Sequence, residues 1–118
     1  MLEELLQGNQ IFLACGSTDF RKAVDGLSAI VSSQFKLDPF SKSIFLFCNK
    51  NKDKLKALIW DENGFILIYK RLEKGKFQWP MSPCEARLIN QQELRWLLEG
   101  LSIDQPKVFR KLHISDVY

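Results

Sequence analysis

The chain has 118 residues and a formal net charge of +3, with 46% hydrophobic and 26% charged residues. That length suits a single domain able to bury about two thirds of its unfolded surface, and the composition is that of an ordinary globular protein, which excludes bulk disorder. No apolar run approaches the roughly 20 residues needed to cross a bilayer. The start MLEELLQGNQ has no basic flank and makes a poor signal peptide, so the expected location is the cytoplasm, with no membrane partner.

In chain order, residues 1–9 read as a flexible leader. QIFLAC (10–15) reads as a first strand, stopped by Gly16. Ser17 or Thr18 then stands where a helix is capped, and Asp19 adds negative charge to the helix start. Phe20, Ala23, Val24, Leu27, Ile30 and Val31 form one apolar stripe of helical period, which predicts a long helix over residues 19–34. Arg21 and Asp25 stand at i, i+4 in it and can pair. Gly26 weakens that helix by about 1 kcal/mol relative to alanine, so a close approach of the helix to a neighbouring element is expected there.

LDPFSKS (37–43) reads as a loop, because a residue before proline is disfavoured in a helix. SIFLFCN (43–49) is apolar on both faces and predicts a central strand. NKNKD is a turn, KLKALIWD (54–61) a strand, ENG a tight turn, and FILIYKR (65–71) a third strand. EKG turns the chain again into a short strand KFQW (76–79), stopped by Pro80. MSPCEARLI reads as loop plus short strand. Asn90 and Glu93 have the spacing of a capping box ahead of a leucine stripe, Leu94, Leu97, Leu98 and Leu101. Gly100 ends that helix, and residues 105–118 read as a flexible tail.

The expected fold is therefore α+β. It is a single domain over residues 10–104, with a mostly antiparallel β-meander, a long helix in the N-terminal half and a shorter C-terminal helix. Cys15, Cys48 and Cys84 are odd in number and show no CxxC spacing. That argues against a disulfide framework or zinc and for small buried hydrophobes. His113 is alone and reads as an exposed tail residue. No HExxH, GxSxG, P-loop or Cys–His couple occurs. No catalytic residue, metal ligand or cofactor is expected.

Charge is uneven along the chain. Residues 42–76 hold nine basic side chains against four acidic ones, a net of +5. Lys50, Lys52, Lys54 and Lys56 alternate, so a continuous strand would put all four on one face. Lys70, Arg71, Lys74 and Lys76 follow two turns later, within KRLEKGKFQWP. A meander can gather both groups at one end of its sheet. There they can contact phosphates, or they can simply keep a sheet edge in solution. Arg21 and Lys22, on the polar side of the first helix, can join them or touch a protein partner. Trp60 and Trp79 flank the basic groups and can stack on unpaired bases, although aromatics on a sheet also serve as core.

The strings GSTDFRKAVDGL (16–27), DPFS (38–41), LFCNKNKDKLKALIWD (46–61), YKRLEKGKFQWP (69–80) and LLEGL (97–101) together resemble the TnpB-type accessory protein of bacterial insertion-sequence family sixty-six, the product of that element's second open reading frame. The resemblance runs over about residues 10–104. It implies a non-enzymatic accessory factor for DNA transposition that works alongside a separate DDE transposase. The implied partners are transposon-end DNA, the cognate transposase and other transposon-encoded proteins, and the implied place is the bacterial nucleoid. An alternative is a protein-interaction module that binds or stabilises the transposase through the helix at 91–101 or the Trp79 region, without touching DNA. The family is often arginine-rich where this chain has Lys50, Lys52 and Lys54. Lysine keeps the charge there and loses the guanidinium fork that reads guanine.

Overall fold

The structure, a computed structural model, describes residues 1–82 and 85–104. Its centre is strand β2 (Ile44–Cys48), apolar and buried at all five positions. A strand buried on both faces needs cover above and below and a neighbour on each side. Strand β1 (Ile11–Ala14) runs parallel to it, with Ile11 opposite Ile44. Strand β3 (Lys54–Asp61) runs antiparallel on its other side, with Phe47 opposite Lys56. Strand β4 (Gly64–Arg71) pairs antiparallel with β3, and β5 (Ala86–Ile89) pairs antiparallel with β1. The order across the sheet is β4-β3-β2-β1-β5.

The α+β class and the β2-β3-β4 meander agree with the sequence reading. The parallel β1–β2 pair differs from it. Parallel neighbours need a crossover, and here the first long helical segment supplies it. That segment is shorter than expected. Helix α1 (Leu2–Leu5) precedes β1, and the crossover is helix α2 (Val24–Ala29) followed by a π-helical turn (Ile30–Gln34). Two causes shorten and distort it. At its start, Asp19 accepts hydrogen bonds from the Arg21 backbone and guanidinium, which closes a local turn instead of capping a helix. Arg21 therefore pairs with Asp19 rather than Asp25, and Ala23 takes the cap position without a side-chain bond. At its end, Ser32 and Ser33 donate to the carbonyls of Ser28 and Ala29, and the backbone widens to a Phe35 N–H to Ile30 carbonyl bond of 3.1 Å. The atoms that crowd Gly26 belong to no neighbouring element, unlike the expectation: an added Cβ would stand 2.9 Å from Cβ of Lys22, four residues upstream.

The crossover covers one face of the sheet. Leu27 and Val31 pack there on Ala14, Phe45, Phe47 and Leu58. The opposite face is larger, and joins Leu13, Leu46, Leu55 and Ala57 to Leu6, Phe77, Trp79, Leu94 and Leu97. Residues 76–79 form no strand. Phe77 and Trp79 act instead as two anchors in that core, and the Trp79 indole donates to the Ala14 carbonyl at 2.8 Å. The residues expected as a flexible leader carry α1, whose following residue Leu6 is fully buried, and Glu3 pairs with Arg95 at 3.1 Å. Helix α3 (Gln91–Leu98) begins with the full capping box between Asn90 and Glu93. Cys48 is free and fully buried, and burial pushes its thiol up to about 12. Cys15 takes part in a disulfide, which corrects the expectation of unbridged thiols at that position. The tail expected at 105–118, with His113, lies outside the described residues. No helix among those described is long and apolar enough to cross a membrane.

Asn90→Ala removes the acceptor for the Glu93 N–H while leaving the reciprocal bond in place. It should lower unfolding free energy by about 1 kcal/mol. The check is urea denaturation, in which the midpoint should fall at unchanged slope.

Candidate nucleic-acid interface

The hairpin between β2 and β3 is closed by one side chain. The Asn49 carboxamide oxygen accepts from the Asp53 and Lys54 backbone at 3.1 and 2.9 Å, and its nitrogen donates to the Asp53 carboxylate at 2.7 Å. That donation holds the Asp53 carboxyl below its ordinary range. Lys52 takes a left-handed backbone, φ 62°, inside this turn. Lys50 and Lys52 therefore project from a tip, and only Lys54 and Lys56 lie in β3 itself.

The segment after β4 is knitted onto this tip. The Leu72 N–H donates to the Asp53 carbonyl at 2.7 Å and the Phe77 N–H to the Lys52 carbonyl at 2.8 Å. The Lys76 ammonium donates to the Asn51 carbonyl at 2.8 Å. Gly75, at φ 79°, lets the intervening loop turn back. The structure thus brings Lys50, Lys52, Lys54, Lys70, Arg71, Lys74 and Lys76 together at one end of the sheet. Asp53, Glu73 and Glu99, the last lining one cavity with Lys74 and Lys76, oppose them, for a local charge of +4. Lys54 stands directly opposite Arg71 in the β3–β4 ladder. Like charges at such a pair repel, and the Glu73 carboxylate, 3.1 Å from Arg71, offsets one of them.

Lys56 is removed from the set. It is buried, and its ammonium donates to the carbonyls of Phe20 and Lys22 at 3.1 and 2.8 Å, 4.8 Å from the centre of the Phe20 ring. A charge there is solvated by backbone dipoles and a π face. Its work is to fasten the entry to the crossover onto the sheet. The same contact places Arg21 and Lys22 over this face of β3, both exposed. Arg21 is already held by Asp19 at 2.6 Å. The Arg21 guanidinium in turn draws the Asp19 carboxyl down to about 2, with help from the Arg21 backbone N–H. Since the folded value lies below the ordinary one, this contact supports the fold at neutral pH and is lost as pH falls through about 2.

Neither tryptophan joins the basic end. Trp79 is buried with its indole N–H satisfied, so it offers no face to a base. Trp60 lies six residues along β3 from Lys54, about 20 Å away. There it packs edge-on against Phe40 and Phe65 at 5.0 and 4.9 Å. The exposed aromatic beside the cations is Tyr69, 53% exposed and opposite Lys56. Period-two alternation from Arg71 would have found it. The carboxylates are dispersed: Asp61 and Glu62 flank the β3–β4 turn, while Asp19 and Glu73 are engaged by arginines.

The family model described as "IS66 Orf2 like protein" matches residues 9–108 of this chain. The chain belongs to that family. It is 38% identical over 105 residues to the uncharacterized protein y4jC of Sinorhizobium fredii, covering 89% of this chain and 88% of the other. It is also 32% identical over 101 residues to y4hO of the same organism, covering 86% and 88%. No solved structure matches it. Membership points to an accessory role in transposition, in association with a transposase and the other proteins of the element.

Lys56→Met keeps the aliphatic stem and leaves the Phe20 and Lys22 carbonyls without their donor. Unfolding free energy should fall by about 1–3 kcal/mol. An unchanged urea midpoint would show that this ammonium does not fasten the crossover.

Proposed function

We propose that this member of the IS66 Orf2-like family is a non-enzymatic accessory factor for DNA transposition that grips DNA through the basic end of its sheet, alongside a separate DDE transposase. The observation that supports the reading best is the Lys54–Arg71 pair within a cluster of net charge +4. Two cations fixed opposite one another repel in the free protein, and a phosphate between them turns that repulsion into attraction. Lys50, Lys52, Lys70 and Lys74, at the same end of the sheet, carry no ion pair among the described residues. Lysine-dominated contact to phosphates positions a protein on DNA without reading sequence. Any preference for transposon ends would then come from Arg71, from Tyr69 or from the transposase. Bound in this way, the protein is nucleoid-associated.

The alternative, a transposase-binding module without DNA contact, was expected to use the leucine stripe of α3 or the Trp79 region. Leu94, Leu97 and Trp79 are buried in the protein's own core. Leu101, the last of that stripe, is exposed, so the engagement of the other residues in the core favours the basic end only in part.

The purified protein should bind duplex DNA with a log–log salt slope of roughly −4 to −5, and Lys54→Gln should reduce that slope by about 1. Charge reversal together at Lys52, Lys54, Arg71 and Lys74 should abolish binding with little change in melting temperature. A folded quadruple variant that still binds would rule the reading out. Retention on immobilised transposase after nuclease treatment, with no DNA binding, would establish the alternative.

A further inference from the structure

We propose that the free edge of β4 is a self-pairing surface, through which two copies of this chain join antiparallel about a two-fold axis at Leu67. The two edges of the sheet are built differently. The β5 edge is four residues long, and its Arg87 is held by Asp104 at 2.7 Å. The β4 edge is eight residues long, and no described strand pairs with its outer side. Its middle, FILIY, contains no charge, proline or glycine. Ile66 and Tyr69 are 44% and 53% exposed there. Monomeric proteins protect such edges with short strands, charges, prolines or bulges, and this one has none of those over five consecutive residues. Alternate residues of an edge strand point N–H and C=O groups outward, so the template for another strand is already present.

The charge layout selects the occupant. Asp61 and Glu62 lie at the start of the strand, and Lys70, Arg71 and Lys74 at its end. A second copy laid parallel would set acid beside acid and base beside base. Laid antiparallel, it sets Arg71 of each copy beside Asn63 and Glu62 of the other. Register follows from pairing of the apolar middle of the strand. With Leu67 opposite Leu67 of the second copy, Phe65 faces Tyr69, Ile66 faces Ile68, and Lys70 faces Gly64. Lys70 and Arg71, the charged residues of the strand itself, then meet uncharged ones, and the aromatic and aliphatic pairs are of the kind that stabilise ladders. A shift of two residues one way sets Lys70 against Ile66 and Arg71 against Phe65; the other way it sets Lys70 against Glu62 and Arg71 against Asp61 but moves Tyr69 from Phe65 to Asn63. A shift of one would turn each strand's inward face outward. The joined object is one continuous sheet with a basic end on each of two opposite sides.

Sedimentation of the full chain without DNA, across a dilution series, tests this independently of the DNA reading. A reversible monomer–dimer equilibrium is expected. Ile66→Lys should weaken it at least tenfold, on the general scale of one buried charge. Glu62→Lys and Lys70→Glu should each weaken it severalfold, and the two together should restore it. In the wild type, alternate β4 amides should gain hydrogen-exchange protection as concentration rises, a reading that needs no variant to fold. A protein that stays monomeric to millimolar concentration overturns the proposal. So does a dimer indifferent to Ile66→Lys, or a charge swap that does not restore pairing.

Discussion

The organisation of this protein depends on burying β2 on both faces. Five consecutive apolar residues, Ile44 to Cys48, leave no side of the strand that water can cover. One face requires the crossover helix, and the other requires a second layer that α3 alone is too short to supply. Phe77, Trp79 and Leu6 complete that layer. The residues that end the β-meander are therefore pulled back beneath the sheet. That return path knits 72–77 onto the β2–β3 tip and brings two basic stretches together. The electrostatics of the surface are a consequence of how the core is closed.

Lysine takes two opposite roles within three residues. Lys54 stays near the surface, beside the Asp53 carboxylate and facing Arg71. Lys56, two positions on and on the same face, is buried and fully engaged by two carbonyls and a ring. The difference lies in what crosses above them. The turn at 19–22, closed by Asp19 and Arg21, lays two carbonyls over Lys56. A buried ammonium is tolerated only with such partners. Lys56 thereby links the positions of Arg21 and Lys22 to the strand that carries the basic end, so fold and charged surface share one fastening.

Much of this was legible in the sequence because it is local. The Asn90–Glu93 capping box, the three-strand meander and its turns follow from spacing and turn chemistry within about ten residues. The gathering of basic residues at one sheet end follows from the same topology. What was not legible is set by distant partners. The parallel pairing of β1 with β2 carries no local mark. The Trp79 indole finds its acceptor at Ala14, sixty-five positions away, so a tryptophan beside lysines could be read as a base-stacking residue when it is core. Helix α2 falls short of its apolar stripe because Asp19, Ser32 and Ser33 compete for backbone groups, and periodicity cannot see that competition. Phe20, counted in the stripe, lies instead under an ammonium.

Strand β4 divides along its length into parts with separate chemistry. Its last two residues belong to the basic end, its first lies beside an acidic turn, and its middle is an apolar edge. A strand whose purpose was only to complete the sheet would gain by carrying charge in that middle, since an uncharged edge invites unwanted pairing. A strand whose purpose was only to hold phosphates would not need Asp61 and Glu62 at its far end. The two features fit together when the edge meets a copy of itself. The acidic turn of one copy then lies beside Lys70 and Arg71 of the other, while Lys50, Lys52, Lys54 and Lys76, on the β2–β3 side, keep their access to an anion. Lys54 retains its unfavourable partner in Arg71 in the absence of DNA. On the proposed reading, a phosphate backbone would relieve that repulsion and bias the basic end toward the bound state.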